Sequence, residues 1–417
     1  MNAFTLLFLL TLAASVGIRL WLAQRQITHV VAHRDAPPPQ FADRIDVFAH
    51  RRAADYTIAR TFFGVVALGV ETLLLLVLTL GGGVAALHAF WQNHLAGLAG
   101  GAALILSVIA LGAVIDLPLA WWRQFVIEAR FGFNRMTPHL FFADLARQTA
   151  LGALIGVPVI FAALWLMERM GSAWWIWVWL FWCGLNLLLL FIYPTWIAPL
   201  FNRFTPLEDA SLKSRIEALL ARCGFAAAGF FVMDGSRRSA HGNAYFTGFG
   251  RNKRIVFFDT LLARLQANEI EAVLAHELGH FRRHHVIKRI TLLFGLSFAM
   301  LAILGYVADA PWFYQGLGAG FADEKSAALA LVLFFLVAPV FSFFLTPWMS
   351  LLSRRHEFEA DQFAAEHAAA TDLVSALVKL YEDNAATLTP DPLHSLFYDS
   401  HPPAALRIAR LSPPAAT

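Results

Sequence analysis

Charge is scarce in this chain of 417 residues: Asp, Glu, Lys and Arg together make up only 15%, against about 25% in soluble domains. A wholly soluble globular protein is excluded on that ground. The 58% hydrophobic content, with 37 Phe and 13 Trp, points the same way. Cysteine is nearly absent as well. Cys183, in an apolar run, and Cys223, in a polar one, are too few for a disulfide framework or a thiolate cluster, so any metal must rest on histidine and carboxylate. A concentrated basic surface is also lacking: the net charge is +3 and the basic residues fall mainly between hydrophobic runs. We therefore expect no nucleic-acid partner, and read the positive charges as membrane orientation.

What is plentiful is apolar length. A spanning helix needs about 20 mostly apolar residues, and seven such runs occur, at 2–22, 61–80, 98–117, 149–167, 173–193, 290–307 and 327–348. The first lacks a basic leader region and a clear small-residue cleavage site, and Arg19 and Arg25 follow its apolar stretch. An uncleaved helix is expected there. The connections alternate in Lys and Arg. Residues 25–60, 123–147, 194–289 and the C-terminal tail are basic, whereas 81–97 has none, 168–172 only Arg169 and 308–326 only Lys325. By the positive-inside rule this places the N-terminus outside and the C-terminus in the cytoplasm.

Two stretches read as folded polar matter on the cytoplasmic side, 201–285 and 353 onward. In the first, Leu212, Ile216, Leu219 and Leu220 give 207–223 helical spacing, and 230–233, 244–249 and 255–258 are short β-prone runs. The expected organisation is a membrane domain over 1–200 with five spans. A second domain, 201–417, holds a small α+β insertion, the last two spans and a C-terminal segment. No internal repeat or low-complexity tract is present, and the prolines at 37–39 and in the tail read as linker and end.

The chemistry lies in the second part. Asn268, with Glu271 three residues on, reads as a capping-box start for a helix through Ile270, Leu274, Leu278 and Phe281. That helix carries His276-Glu277-Leu278-Gly279-His280. Residues four apart lie one above the other, so His276 and His280 can offer two imidazoles to one Zn²⁺. Glu277 is turned by about 100° from His276, which sets its carboxylate beside the ion rather than on it, the place for a general base. A catalytic zinc takes three protein ligands and keeps one position open. The candidate third ligand comes from Arg354-Arg355-His356-Glu357-Phe358-Glu359-Ala360-Asp361. There Glu357 and Asp361 share a face, Ala360 allows close helix approach, and Glu359 points away. Glu357 as ligand, with Asp361 supporting a ligating histidine, is the economical assignment. In isolation the same stretch also reads as a solvated charged helix after a span.

Taken together these residues resemble the Ste24 type of the M48 zinc metallopeptidases, the CAAX prenyl protease 1 family. The resemblance covers most of the chain: Phe131-Gly132-Phe133-Asn134-Arg135-Met136-Thr137, the run from His241 to Phe249, Ala272-Val273-Leu274 leading into the His276 pentapeptide, the Arg354 to Asp361 run, and His401-Pro402-Pro403. It implies an α-helical integral membrane protein whose seven helices enclose a water-filled chamber, with a zincin-like cytoplasmic catalytic part and one Zn²⁺ per chain. Glu71, Asp116 and Asn186, polar residues inside spans, would then line the chamber; interhelical hydrogen bonding, or a membrane-end position for Asp116, is the alternative. The resemblance further implies that Asn243 and Ala244 lie on a strand along which substrate extends, that His401 stabilises the oxyanion, and that Arg407 supports the metal-site carboxylates through Asp361. Without it, His401, His241, His284 and His285 are ordinary loop histidines.

The implied substrate is a peptide or protein with a prenylated C-terminal CAAX sequence, met at the lipid bilayer. Ala-rich composition and short loops point to a bacterial inner membrane, where quality control of unprenylated membrane proteins is the alternative role; in a eukaryote the membrane would be the endoplasmic reticulum. Two rivals of other classes stand beside this reading. One is a transporter or channel with a structural zinc, closed by a fourth ligand among His241, His284, His285, His356 and Asp361. The other is an inactive membrane chaperone or scaffold.

Overall fold

The structure is a computed structural model that describes residues 2–247, 254–320 and 326–411. Seven helices are long and apolar enough to cross a membrane: Ala3–Ala32, Val47–Leu78, Gly97–Glu128, Pro138–Arg169, Gly171–Leu200, His285–Val307 and Ala327–His367. Each coincides with one of the runs expected from sequence to within two residues or extends beyond it, in the same order. Most are longer than their apolar runs, because nothing in the flanking polar sequence stops a helix. The first continues ten residues past Leu22, carrying Arg25 and Gln26 to Asp391: Arg25 Nη2 donates to Asp391 Oδ2 at 2.8 Å and Gln26 Oε1 accepts from the Asp391 N–H at 2.7 Å. The connection at 81–97 holds an unexpected short helix, Gly83–Gln92.

The polar insertion forms one four-stranded sheet in the order β1-β2-β4-β3. Its strands are β1 Phe204–Pro206, β2 Gly229–Met233, β3 Ala244–Thr247 and β4 Arg254–Phe258. β2, β3 and β4 match the β-prone runs; β1 is too short to show an alternation and was not foreseen. The residues Gly248 and Phe249 of the second run lie outside the described residues. β2 and β4 pair in parallel, while β3 pairs antiparallel with β4 and forms an edge. Helix Ala210–Arg222, capped by Asp209, lies within the helical stretch read from its leucines.

The cap of helix Ala267–Arg282 lies two residues earlier than expected. Its capping box is Gln266 with Glu269, not Asn268 with Glu271. Asn268 instead donates to Asp372 Oδ1 at 2.7 Å, and Glu271 takes Arg215 and Arg222. Spacing could not separate two overlapping boxes; the tertiary partners of Asn268 and Glu271 did. Leu274, Leu278, Ile216, Phe257 and Leu377 share one buried core beneath this helix. A separate core of Phe8, Leu104, Leu164, Leu304 and Leu333 holds the membrane helices.

The two halves are stitched by the run from Phe131 to Met136. Phe133 is buried and stacks on His241, with ring centroids 4.5 Å apart. Its carbonyl accepts the Ala240 N–H, and Arg238 holds Asp144 of the fourth span at 2.8 Å. Gly132 turns the chain at φ 78°, a conformation that costs other residues a clash at Cβ.

A cavity of about 1050 Å³ runs from the first two spans to the catalytic half, lined by Arg19, Arg60 and Glu71 at one end and Asn243, Tyr381 and His401 at the other. Of the three polar span residues, Glu71 lines it. Asp116 is exposed, and Asn186 is half-buried with its side chain donating to its own helix at the Trp182 carbonyl, 2.8 Å away.

Candidate metal centre

The long last helix supplies the third side chain. It leaves the seventh span through a 3₁₀ turn at Phe343–Leu345 and continues as Thr346–His367, packing against Ala267–Arg282 along a seam of small residues. Gly279 sits at that seam. A Cβ there would lie 2.9 Å from the Ala360 Cα and 3.1 Å from its carbonyl oxygen, both immovable backbone atoms. Only glycine between the two histidines lets the helices approach this closely, and the approach brings Glu357 to His276 and His280.

His276 Nε2 and His280 Nε2 face each other at 3.2 Å. Glu357 Oε2 lies 3.5 Å from His276 Nε2, and Glu357 Oε1 lies 3.4 Å from His280 Nε2. Three donors about 2.0–2.1 Å from one ion, at tetrahedral angles, stand about 3.3 Å apart. The residues therefore fit a tetrahedral divalent ion. Glu357 Oε2 is buried with no hydrogen-bond partner among the described residues, a costly condition that a cation relieves. His276, His280 and Glu357 also form the metal-holding group of the described residues. None of His241, His284, His285, His356 or Asp361 joins it.

The supporting contacts fix both imidazoles. Asp361 Oδ1 is 2.8 Å from His276 Nδ1, and Arg407 clamps Asp361 through Nε at 2.8 Å and Nη2 at 2.5 Å. Behind His280 stands His285, Nδ1 to Nδ1 at 3.0 Å, and behind that Glu359, at 3.0 Å from His285 Nε2. Glu359 does point away from Glu357 and Asp361, yet it belongs to the site through His285, which spacing could not show. Burial works against a charge on His276, but its hydrogen bond to Asp361 and the Glu357 carboxylate beside it outweigh that and hold its pKa up at about 9. Burial, with the charge of His276 beside it, drives His280 down to about 4. The pocket thus favours one positive charge among its imidazoles, where a cation would bring its own.

Glu277 is partly buried on the same helix, and no described side chain hydrogen-bonds to its carboxylate. Burial pushes the Glu277 carboxyl above the usual range, with His276 pulling the other way. His401 also approaches the group, Nε2 3.5 Å from Glu357 Oε1, while its Nδ1 meets the Ser400 hydroxyl at 3.0 Å. His401 also lines the cavity, so it joins the metal group to the open space. Tyr381, not singled out from sequence, holds that loop by donating to the Pro402 carbonyl at 3.3 Å. Asn243 and Ala244 sit at the start of edge strand β3, with the Asn243 side chain accepting the Ala244 N–H at 2.8 Å.

Comparison with known proteins now decides the family. The family model described as "CAAX prenyl protease N-terminal, five membrane helices" matches residues 26–203, and that of "Peptidase family M48" matches 206–415. The chain belongs to the M48 peptidases. It is similar to a CAAX prenyl protease 1 homolog of Arabidopsis thaliana, 37% identical over 72% of this chain and 71% of the relative, and to CAAX prenyl protease 1 of Saccharomyces cerevisiae, 37% identical over 72% and 70%. A Caenorhabditis elegans homolog is 31% identical over 97% of both. Among solved structures, S. mikatae Ste24p superposes with a TM-score of 0.92 at 29% identity, covering 99% of this chain and 100% of that one. This M48 member is accordingly an integral membrane metallopeptidase with seven membrane helices, as its sequence led us to expect.

Proposed function

We propose that this protein is a zinc endopeptidase of the membrane that cleaves C-terminal peptides from CAAX-type prenylated substrates, with His276, His280 and Glu357 holding the ion. The observation that carries this reading is the triangle of donor atoms at 3.2, 3.4 and 3.5 Å, backed on both imidazoles. Zinc bound there supplies a Lewis acid that polarises the scissile carbonyl and makes water acidic enough to attack near neutral pH.

The residues around it divide the remaining work. Glu277 takes the proton of the attacking water and passes it to the leaving amine; a carboxyl raised above its usual range is closer to the pKa such a shuttle needs. His401 donates from Nε2 to the developing oxyanion, with the Ser400 hydroxyl donating to Nδ1 and so keeping the ring proton on Nε2. Asp361 and Arg407 hold His276 in place. Asn243 and Ala244 offer the open edge of β3, where an extended peptide can add a strand and place its scissile bond through main-chain hydrogen bonds. The cavity beyond His401 supplies room for substrate between catalytic half and spans. The division into a membrane domain over 1–200 and a catalytic domain over 201–417 belongs to this proposal. So does the placement in a bacterial inner membrane, read from composition and short loops, with the catalytic side cytoplasmic, read from the distribution of Lys and Arg.

The test measures zinc content and cleavage of a farnesylated CAAX peptide on detergent-purified wild type and Glu277→Gln in parallel. We expect zinc in both and cleavage in wild type alone. Zinc in both without cleavage moves the substrate to unprenylated membrane proteins, and a well-folded wild type without zinc overturns the reading.

A further inference from the structure

The two imidazoles of the metal centre are supported in different ways, and the support of His280 has no counterpart in the motif that names the site. His284 adopts φ 58°, the left-handed region that histidine enters more readily than most residues. With Arg283 before it, this residue joins the helix that ends at Arg282 to the one that starts at His285. The abrupt turn folds His285 back against His280, where it is only 4% exposed. His356 lies flat on its other side, rings 4.1 Å apart and inclined by 13°. Glu359 Oε2 then meets His285 Nε2 at 3.0 Å, while its Oε1 takes Arg355 Nε at 3.1 Å.

Proton counting along this line leaves one arrangement for neutral rings. A carboxylate accepts only, so His285 must carry its proton on Nε2 to satisfy Glu359. Its Nδ1 is then a bare acceptor. The facing His280 Nδ1, at 3.0 Å, must therefore be the donor. With its proton on Nδ1, His280 has a free lone pair on Nε2, the atom that faces His276 Nε2 and Glu357 Oε1.

We propose that His285 and Glu359 are positioning residues that fix the tautomer and orientation of His280, a histidine-mediated counterpart of the direct Asp361 contact to His276. The inference rests on the metal reading above. Loss of such outer support commonly weakens metal binding about 10–100-fold.

The test measures zinc affinity of the full chain in detergent by competition with a chromophoric chelator, for wild type, His285→Phe, His285→Asn and Glu359→Gln, with thermal unfolding of each zinc-free protein as the folding control. Phe keeps a ring against His356 but has no acceptor, whereas the Asn carbonyl oxygen can occupy the place of Nδ1. We expect zinc to bind about 10–100-fold more weakly in His285→Phe, with much of the loss recovered in His285→Asn and a smaller loss in Glu359→Gln. Wild-type affinity in His285→Phe overturns the proposal, as does equal weakening of Phe and Asn, which would make the role one of packing. Should His285→Phe fail to fold, an unchanged affinity in Glu359→Gln overturns it instead. A wild type that binds no zinc fails the metal reading itself, so the two failures are distinct.

Discussion

Arg407 grips Asp361 with two hydrogen bonds, Nε to Oδ2 at 2.8 Å and Nη2 to Oδ1 at 2.5 Å, and both side chains are buried. Breaking a buried pair strands the remaining charge and costs about 3–5 kcal/mol. Arg407→Met should therefore lower the unfolding temperature and weaken zinc together, because Asp361 loses its fixed position beneath His276. Thermal unfolding and metal content of the purified variant check this. An unchanged metal content would separate Arg407 from the metal centre.

Glu277 touches no ligand through a hydrogen bond, so its removal should spare the metal. We expect Glu277→Gln to retain zinc and to lose at least the ~10²–10⁴-fold of a general acid–base group. By contrast, His276→Ala and Glu357→Ala should lose the ion as well as the activity. Elemental analysis beside a turnover assay distinguishes the two classes, and full zinc occupancy in Glu357→Ala would sink its assignment as a ligand.

For His401 the expected loss is of a different kind. It is exposed and lies 3.5 Å from Glu357, so His401→Ala should leave stability and metal content unchanged while removing about 3 kcal/mol of transition-state stabilisation. The loss should fall on kcat rather than KM. A raised KM at unchanged kcat would assign it to substrate binding instead.

Gly279→Ala introduces one methyl group 2.9 Å from backbone of the facing helix. Overpacking of this kind costs about 1–3 kcal/mol, and here it also pushes Glu357 away from the two histidines. Lower unfolding temperature and weaker zinc binding should appear together. Normal values for both would show that the helices can part at no cost.

Glu269 provides a pH signature. It is buried and accepts from Ser375, Lys379 and the Gln266 N–H, each at 2.7 Å. Burial by itself would raise its pKa, but these bonds more than offset that and hold it below the usual value of 4.5. A depressed carboxyl pKa stabilises the fold at neutral pH, and that stability fades as pH falls below about 4.5 towards the folded pKa. Glu269→Gln should thus cost about 1–3 kcal/mol at pH 7 and less at pH 4. Unfolding measured at both pH values checks the convergence; a constant difference would contradict it.

Much of this was legible along the chain because hydropathy and helical period are local properties. Seven apolar runs mark seven spans, and a four-residue spacing puts His276 and His280 on one face whatever surrounds them. The strand runs showed where β-branched and aromatic residues cluster, but β1, at three residues, had no pattern to display. The cap of the metal helix was misplaced by two residues because Gln266 and Asn268 each begin a plausible box, and only the partners on neighbouring helices chose between them.

What the sequence by itself determined is the membrane class, the helix that carries two imidazoles and a carboxylate, and the absence of any thiolate alternative. What only the tertiary structure decided is how residues far apart in the chain meet. Glu357 reaches His276 and His280 across some eighty residues because Gly279 and Ala360 let two helices touch. His285, an unremarkable loop histidine by position, comes to support His280 because the helix breaks before it, at Arg283 and the left-handed His284. Periodicity encodes which side of a helix a residue occupies; which other helix that side meets depends on packing between segments, and no local spacing records it.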